Sequence, residues 1–214
     1  MQVTEIFHSI QGESTYAGWP CTFVRLTACN LRCTWCDSEY TFTGGIQMSL
    51  GEVMDRVHSY PARLVEITGG EPMLQEEEVL ELSKRLLGEG YTVLLETSGE
   101  RNLTRVPPEV VKVMDVKCPG SGEGGRFWAD NLTVLTPRDE VKFVLAGRED
   151  YDFAVRFLNE HPLPGPVHFS PVFGKLDPGT LAEWVLADGL TVRVNLQIHK
   201  LLHEQSDKLV PEHR

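Results

Sequence analysis

Six short apolar segments, each running into a polar loop, leave this chain few architectures. Residues 21–27 (Cys-Thr-Phe-Val-Arg-Leu-Thr), 64–68, 91–96, 111–116, 141–145 and 167–169 have the aliphatic and β-branched content of strands buried on both faces, as parallel strands are. Residues 3–8 alternate apolar and polar side chains and read as a further short strand. Helical patterns fill several gaps. Ser49-Leu50-Gly51-Glu52 fits a capping box opening a helix to about residue 59. Residues 75–87 place Val79, Leu82 and Leu86 on one stripe, with Glu76, Glu77 and Glu78 at the positive end and Lys84 and Arg85 near the negative end. Further helices are expected at about 151–159 and 181–187. Strand, polar loop and helix recurring in this order predict an α/β fold with loops gathered at the C-terminal ends of parallel strands. Six strands with fewer than six full helices predict a partial TIM-type barrel.

Composition narrows the function classes. With 214 residues, 41% of them hydrophobic, the chain suits one domain over 1–214. It has neither an apolar run of membrane-spanning length nor a basic start followed by an apolar core, so no membrane span or secretory signal is expected. A formal net charge of −11 argues against direct nucleic-acid binding, which needs clustered Lys and Arg. Five cysteines, three of them in one loop, point to the reducing cytoplasm.

That loop is Thr27-Ala28-Cys29-Asn30-Leu31-Arg32-Cys33-Thr34-Trp35-Cys36-Asp37-Ser38. Three thiolates within eight residues suggest a metal site rather than a disulfide framework. A structural zinc wants four protein ligands, and no fourth Cys or His lies at a finger-like distance. An iron–sulfur cube on three cysteines keeps one iron open for a ligand. The spacing C-x3-C-x2-C, with Trp35 before the last cysteine, resembles the signature of radical S-adenosylmethionine (radical SAM) enzymes, and Thr68-Gly69-Gly70-Glu71-Pro72 resembles that family's Gly-Gly-Glu-Pro segment. The resemblance implies a radical SAM fold and a [4Fe–4S] cluster on Cys29, Cys33 and Cys36. It further implies S-adenosylmethionine chelated at the free iron and cleaved by one electron to a 5′-deoxyadenosyl radical. Trp35, Asp37, Gly69, Gly70, Glu71, Pro72, Ser98, Lys117 and Ser170 then become candidates for the cofactor side of the site.

Other segments resemble one branch of that family, the 7-carboxy-7-deazaguanine synthases. Ile10-Gln11-Gly12-Glu13 is by its residues alone a surface turn or a ligand-facing loop, and in that branch it contacts the pterin substrate. Arg25, a charge inside an apolar strand, either pairs with a structural carboxylate or reads a ligand carboxylate; the branch places an arginine here to grip substrate. Ser38 is a turn cap or, as in the branch, a Mg²⁺ ligand. Ser98 caps its turn or touches cofactor, and Lys117 pairs with Asp115 or faces the site. Thr68 joins the substrate candidates, as does His199 within Leu196-Gln197-Ile198-His199-Lys200, which resembles the branch's closing Leu-Gln-x-His-Lys. Cys118 reads as structural. Beyond Lys200 the chain departs from the pattern: relatives often stop within a few residues, whereas 201–214 continue as a charged tail, so no role for a C-terminal carboxylate is carried over.

The resemblance implies a small pterin substrate, an electron donor such as flavodoxin or ferredoxin, and a homodimer. Two rival readings remain at this stage: an activating enzyme that makes a glycyl radical on a partner protein, and a zinc-binding interaction module.

Overall fold

The computed structural model describes residues 1–204, so the expected tail is described only at 201–204, and 205–214 lie outside the described residues. Its strands are β1 (Gln2–Ile10), β2 (Pro20–Leu26), β3 (Ile46–Gln47), β4 (Leu64–Gly69), β5 (Thr92–Thr97), β6 (Val111–Asp115), β7 (Glu140–Leu145), β8 (Val167–Pro171) and β9 (Arg193–Val194). Helices are α1 (Leu50–His58), α2 (Glu76–Gly88), α3 (Arg148–Glu160), α4 (Pro178–Ala187) and α5 (Ile198–Glu204). All nine strands form one sheet in the order β3-β1-β2-β4-β5-β6-β7-β8-β9. From β2 onward every pairing is parallel, while β1 and β3 add antiparallel strands at one edge. The sheet is open, and the partial barrel stands with one more parallel strand, β9, than the six expected.

Side-chain alternation assigns the two faces of the sheet. Val24, Leu26, Val65, Ile67, Val93, Leu95, Met114, Phe143, Leu145 and Phe169 pack outward in the main core, against Val53, Val57, Val79, Leu82, Leu86, Tyr151, Ala154, Phe157 and Leu181 of the helices. The other face holds a smaller apolar cluster, Cys21, Phe23, Leu64, Leu94 and Val111, with Phe7 and Tyr16 against it. These residues lie early in their strands and plug that end of the inner face. Farther along the same strands the inner face turns polar, with Arg25, Glu66, Thr68, Glu96 and Lys142 lining a cavity.

α1 begins at its expected capping box, while α3 and α4 each begin earlier than expected, at Arg148 and Pro178. Ser49 accepts from the Glu52 N–H while the Glu52 carboxylate accepts from the Ser49 N–H, a complete capping box. Asp177 caps α4 through the Thr180 N–H, with Pro178 in the first turn. α3 starts at Arg148, earlier than residue 151, because Gly147 carries no capping side chain to mark the boundary.

Candidate active site

At the C-terminal ends of the strands a cavity of about 440 Å³ opens between the cysteine loop, the 10–13 segment and the C-terminal segment. Cys29, Cys33 and Cys36 all line it, half-buried and unpaired by disulfides. The loop is fixed at both ends. Ala28 adopts φ +80, and its N–H donates to Thr41 O (2.7 Å) while its own carbonyl accepts from the Glu71 N–H (2.9 Å). At the far end Thr34 N–H donates to Ser121 O (3.0 Å), tying the loop to the turn after β6.

Gly69 and Gly70 explain how close that loop comes. A Cβ on Gly70 would lie 2.4 Å from Ala28 O and 2.7 Å from Cys29 Cβ, and one on Gly69 would lie 2.5 Å from Leu26 O. The pair therefore lets the end of β4 press against the cysteine loop, and both glycines also line the cavity. Glu71 and Pro72 do not line it. The Glu71 carboxylate turns the other way and accepts from Met73 N–H (3.0 Å), Thr97 Oγ1 (2.8 Å), Ser98 N–H (2.8 Å) and Ser98 Oγ (2.7 Å). It staples the end of β5 to the turn after β4 rather than facing the site. Ser98 is bonded into the turn and also lines the cavity. Ser170 is buried on β8, with Asn195 Nδ2 donating to its hydroxyl at 3.3 Å, and does not border the cavity.

The remaining candidates are brought together. Ile10, Gln11, Gly12, Glu13, Arg25, Trp35, Asp37, Ser38, Thr68, Lys117 and His199 all line the cavity. Arg25 pairs with a structural carboxylate, its Nε donating to Glu5 Oε1 at 2.9 Å, and its side chain also borders the cavity. Lys117 pairs with Asp115 at 2.7 Å and borders the cavity too. Burial opposes its charge, but Asp115 and the nearby Cys33 more than compensate, so Lys117 stays protonated. Ser38 precedes a 3-10 turn over Glu39–Thr41, yet its side chain makes no capping bond there; its Oγ lies 3.7 Å from Cys36 Sγ. His199 belongs to α5. Its ring lies where a Cβ on Gly12 would stand, 1.8 Å from Nδ1, so only glycine admits it. Cys118 is buried, apart from the cavity wall.

Sequence reasoning missed Glu66, Glu96, Asp115 and Lys142, all on the wall. Lys142 Nζ donates to Glu13 Oε2 at 2.7 Å and also contacts Glu96 Oε1. Gln11 Nε2 donates to Glu66, and Gln197 Nε2 donates to Glu13 Oε1 at 2.6 Å. Charged side chains set within apolar strands were the available signal. It is the argument that singled out Arg25, and it applies equally to Glu66 in Val65-Glu66-Ile67 and Lys142 in Val141-Lys142-Phe143.

Among the described residues no three His, Cys, Asp or Glu side chains converge on one point as around a single metal ion. The cysteines share one cavity wall instead, with Lys117 close enough to favour their thiolates. Burial first, with Glu71 near Cys29 and Asp115 near Cys33, raises the two thiols above their ordinary range, and the Lys117 charge works against it. Asp115 Oδ1 is buried on the same wall without a hydrogen-bond partner, an acceptor suited to a polar ligand. Three thiolates, a neighbouring cation and an unsatisfied acceptor fit a thiolate-bound cluster and a polar cofactor beside it.

Residues 24–116 match the family model of the radical SAM superfamily, the class of enzyme that this open barrel and cysteine loop define, with its [4Fe–4S] cluster and S-adenosylmethionine. The chain is 56% identical to a 7-carboxy-7-deazaguanine synthase of Koribacter versatilis (strain Ellin345), over 94% of this chain and 96% of that one. It is 43% identical to a protein of the same name from Chlorobaculum tepidum, covering 94% of each. It belongs to the 7-carboxy-7-deazaguanine synthase family. A crystal structure of QueE from Escherichia coli shares the fold, with a TM-score of 0.77 at 23% identity over 92% of this chain and 93% of that one. No helix among the described residues is long and apolar enough to cross a membrane.

Proposed function

We propose that this chain converts 6-carboxy-5,6,7,8-tetrahydropterin into 7-carboxy-7-deazaguanine with loss of ammonia, using S-adenosylmethionine catalytically. One observation carries the reading. A single cavity joins the three cysteines at one side to a wall of fixed hydrogen-bonding groups, Gln11, Glu13, Arg25 and Lys142, at the other, at a scale that suits a small heterocycle. An activating enzyme needs a groove open to a protein segment, and here the 197–200 segment lies across the mouth, held by Gln197 to Glu13 and by Lys200 to Asp37 at 3.1 Å.

When bound, the cluster and S-adenosylmethionine would supply the one-electron radical chemistry that the reaction at C6 of the substrate needs. The protein's own residues hold the reacting carbon in place and keep water out. Cys29, Cys33 and Cys36 would carry the cluster. Gly69, Gly70, Ser98 and Lys117 would border the cofactor, together with Trp35 and Asp37. Arg25 would bind the substrate carboxylate, with its guanidinium aimed by Glu5, while Ile10, Gln11, Gly12, Glu13, Thr68 and His199 would frame the ring.

Ser38 would ligate Mg²⁺, supported by a hydroxyl that lines the cavity without capping its own turn. The ion would complete its shell with substrate oxygens and water. Ser38→Ala should then weaken the magnesium dependence of turnover, and full dependence with unchanged magnesium affinity would remove Ser38 from that role. A flavodoxin- or ferredoxin-type reductant, a homodimer, a cytoplasmic setting and a single domain over 1–214 complete the proposal.

The deciding experiment is anaerobic turnover of the reconstituted protein with reductant, S-adenosylmethionine and the pterin, read by mass spectrometry. The expected outcome is 7-carboxy-7-deazaguanine without matching loss of S-adenosylmethionine. Accumulation of 5′-deoxyadenosine with the pterin untouched would overturn the substrate.

A further inference from the structure

Hydrogen bonds link the acids of the cavity wall. Gln11 Nε2 donates to Glu66, and Glu96, two residues beyond the β5 partner of Glu66, Leu94, lines the same wall on the adjoining strand. Lys142 Nζ donates to Glu96 and to Glu13 Oε2, and the Glu13 N–H returns to Gln11 Oε1 at 3.1 Å. Gln197 supplies a further donor to Glu13. Two of the three carboxyls, Glu13 and Glu96, therefore share one ammonium.

Three acids on one wall with a single ammonium bonded to two of them cannot all ionise at low cost, so the buried one left without a cation keeps a proton. The placement of Lys142 decides which group keeps it. The ammonium touches Glu96 and Glu13 and stabilises both as anions. Glu66, on β4 and buried, receives among the described residues the neutral amide of Gln11 and no bonded cation. The other ionisable groups facing it are Lys142 from β7 and Arg25 and Cys21 from β2. Lys142 already spans Glu13 and Glu96, the Nε of Arg25 is engaged by Glu5, and burial keeps Cys21 a thiol. Burial, then the nearness of Glu96, holds the Glu66 carboxyl well above the usual carboxylate range.

We propose that Glu66 is a positioning residue: as a neutral carboxyl it donates to Glu96 and accepts from Gln11, which locks Glu96 and Glu13 as acceptors for a heterocycle edge bearing adjacent ring N–H and amino donors. The pyrimidinone edge of a pterin is such an edge, so the substrate half of this inference rests on the function proposed above. The proton on Glu66 belongs to the protein alone. A second ionised carboxylate beside Glu96 would repel it and free the Gln11 amide to flip, and the wall would lose its fixed pattern of donors and acceptors.

Infrared spectroscopy of the reconstituted wild-type protein without substrate tests the proton directly. A protonated-carboxyl C=O band, shifted in D₂O and missing in Glu66→Gln, is expected at neutral pH. A wild-type spectrum with no such band overturns the proposal even where the variants fold poorly. Kinetics with the pterin test the positioning: Glu66→Ala should raise KM about tenfold, and Glu66→Gln, which keeps a neutral donor and acceptor in place, should restore most of that loss, whereas Glu96→Gln should not be tolerated. Reductive cleavage of S-adenosylmethionine without substrate serves as the control and should change little. Equal damage from Glu66→Gln and Glu96→Gln would show that Glu66 acts as an anion and overturn its role. Wild-type protein that shows the band but does not turn over the pterin would sink the substrate reading and leave the proton standing.

Discussion

Gly70 and Ala28 show how tightly single residues constrain this site. Because a Cβ on Gly70 would fall 2.4 Å from Ala28 O and 2.7 Å from Cys29 Cβ, Gly70→Ala forces the cysteine loop outward at an overpacking cost of about 1–3 kcal/mol. The variant should fold with a lowered melting temperature and take up markedly less iron and sulfide on reconstitution. Wild-type cluster content would show that the loop can shift without consequence. Two carboxyls on the wall carry opposite pH signatures. Burial opposes ionisation of Glu13, but Lys142 and Gln197 outweigh it and hold its pKa at about 2, against an ordinary value of 4.5. Its stabilisation is therefore complete above 4.5 and is lost as pH falls toward 2. Glu66 is raised well above 4.5, so the folded state is favoured below 4.5 and pays a growing penalty as pH climbs from there toward its folded pKa. Glu66→Gln lacks that penalty. Urea unfolding at a series of pH values should show the variant gaining on wild type as pH rises from 4.5, and a difference that stays flat would mean that Glu66 titrates normally.

At the scale of elements, local chemistry and tertiary ties divide the work. The capping box of α1 was legible because Ser49 and Glu52 satisfy each other's backbone N–H without outside help. Ser49→Ala should lower stability by about 1 kcal/mol, seen as a lower urea midpoint at unchanged slope with turnover intact. The partners of Glu71 were not legible for the converse reason. Its oxygens accept from Thr97, Ser98 and Met73, partners set by which strand lies beside β4. β9 and α5 were likewise hidden, since a two-residue strand such as β9 has too little pattern to announce itself and depends on pairing with β8.

Across the whole molecule, the open sheet is bridged at the mouth of the cavity by segments far apart in sequence. Ile198 N–H donates to Gly12 O at 3.1 Å, Gln197 reaches Glu13, and Lys200 reaches Asp37. Thr15 is held by Glu140, whose carboxylate also lies 2.6 Å from His168 Nε2, fastening the 11–19 loop to β7 and β8. The main core among the described residues draws on nothing beyond Val194. Ending the chain before Gln197 should therefore leave cooperative unfolding largely intact while raising KM for the pterin about tenfold or more. Loss of cooperative folding in that truncation would mean that the segment belongs to the fold and not merely to the site.

The periodicity of apolar residues determined the parallel strands, the helices and the end of the sheet where the site would lie, because burial of one face repeats every two or 3.6 residues and is written locally. The cysteine spacing determined the metal chemistry, because ligands carried on one loop are near each other in any fold. The tertiary structure alone decided that Glu66, Glu96 and Lys142 would meet Gln11 and Glu13, that Glu71 would turn from the cavity, and that His199 would settle over Gly12. Such pairings depend on strand order and on which face each strand presents, and a charge within an apolar strand does not name the residue it will meet across the barrel.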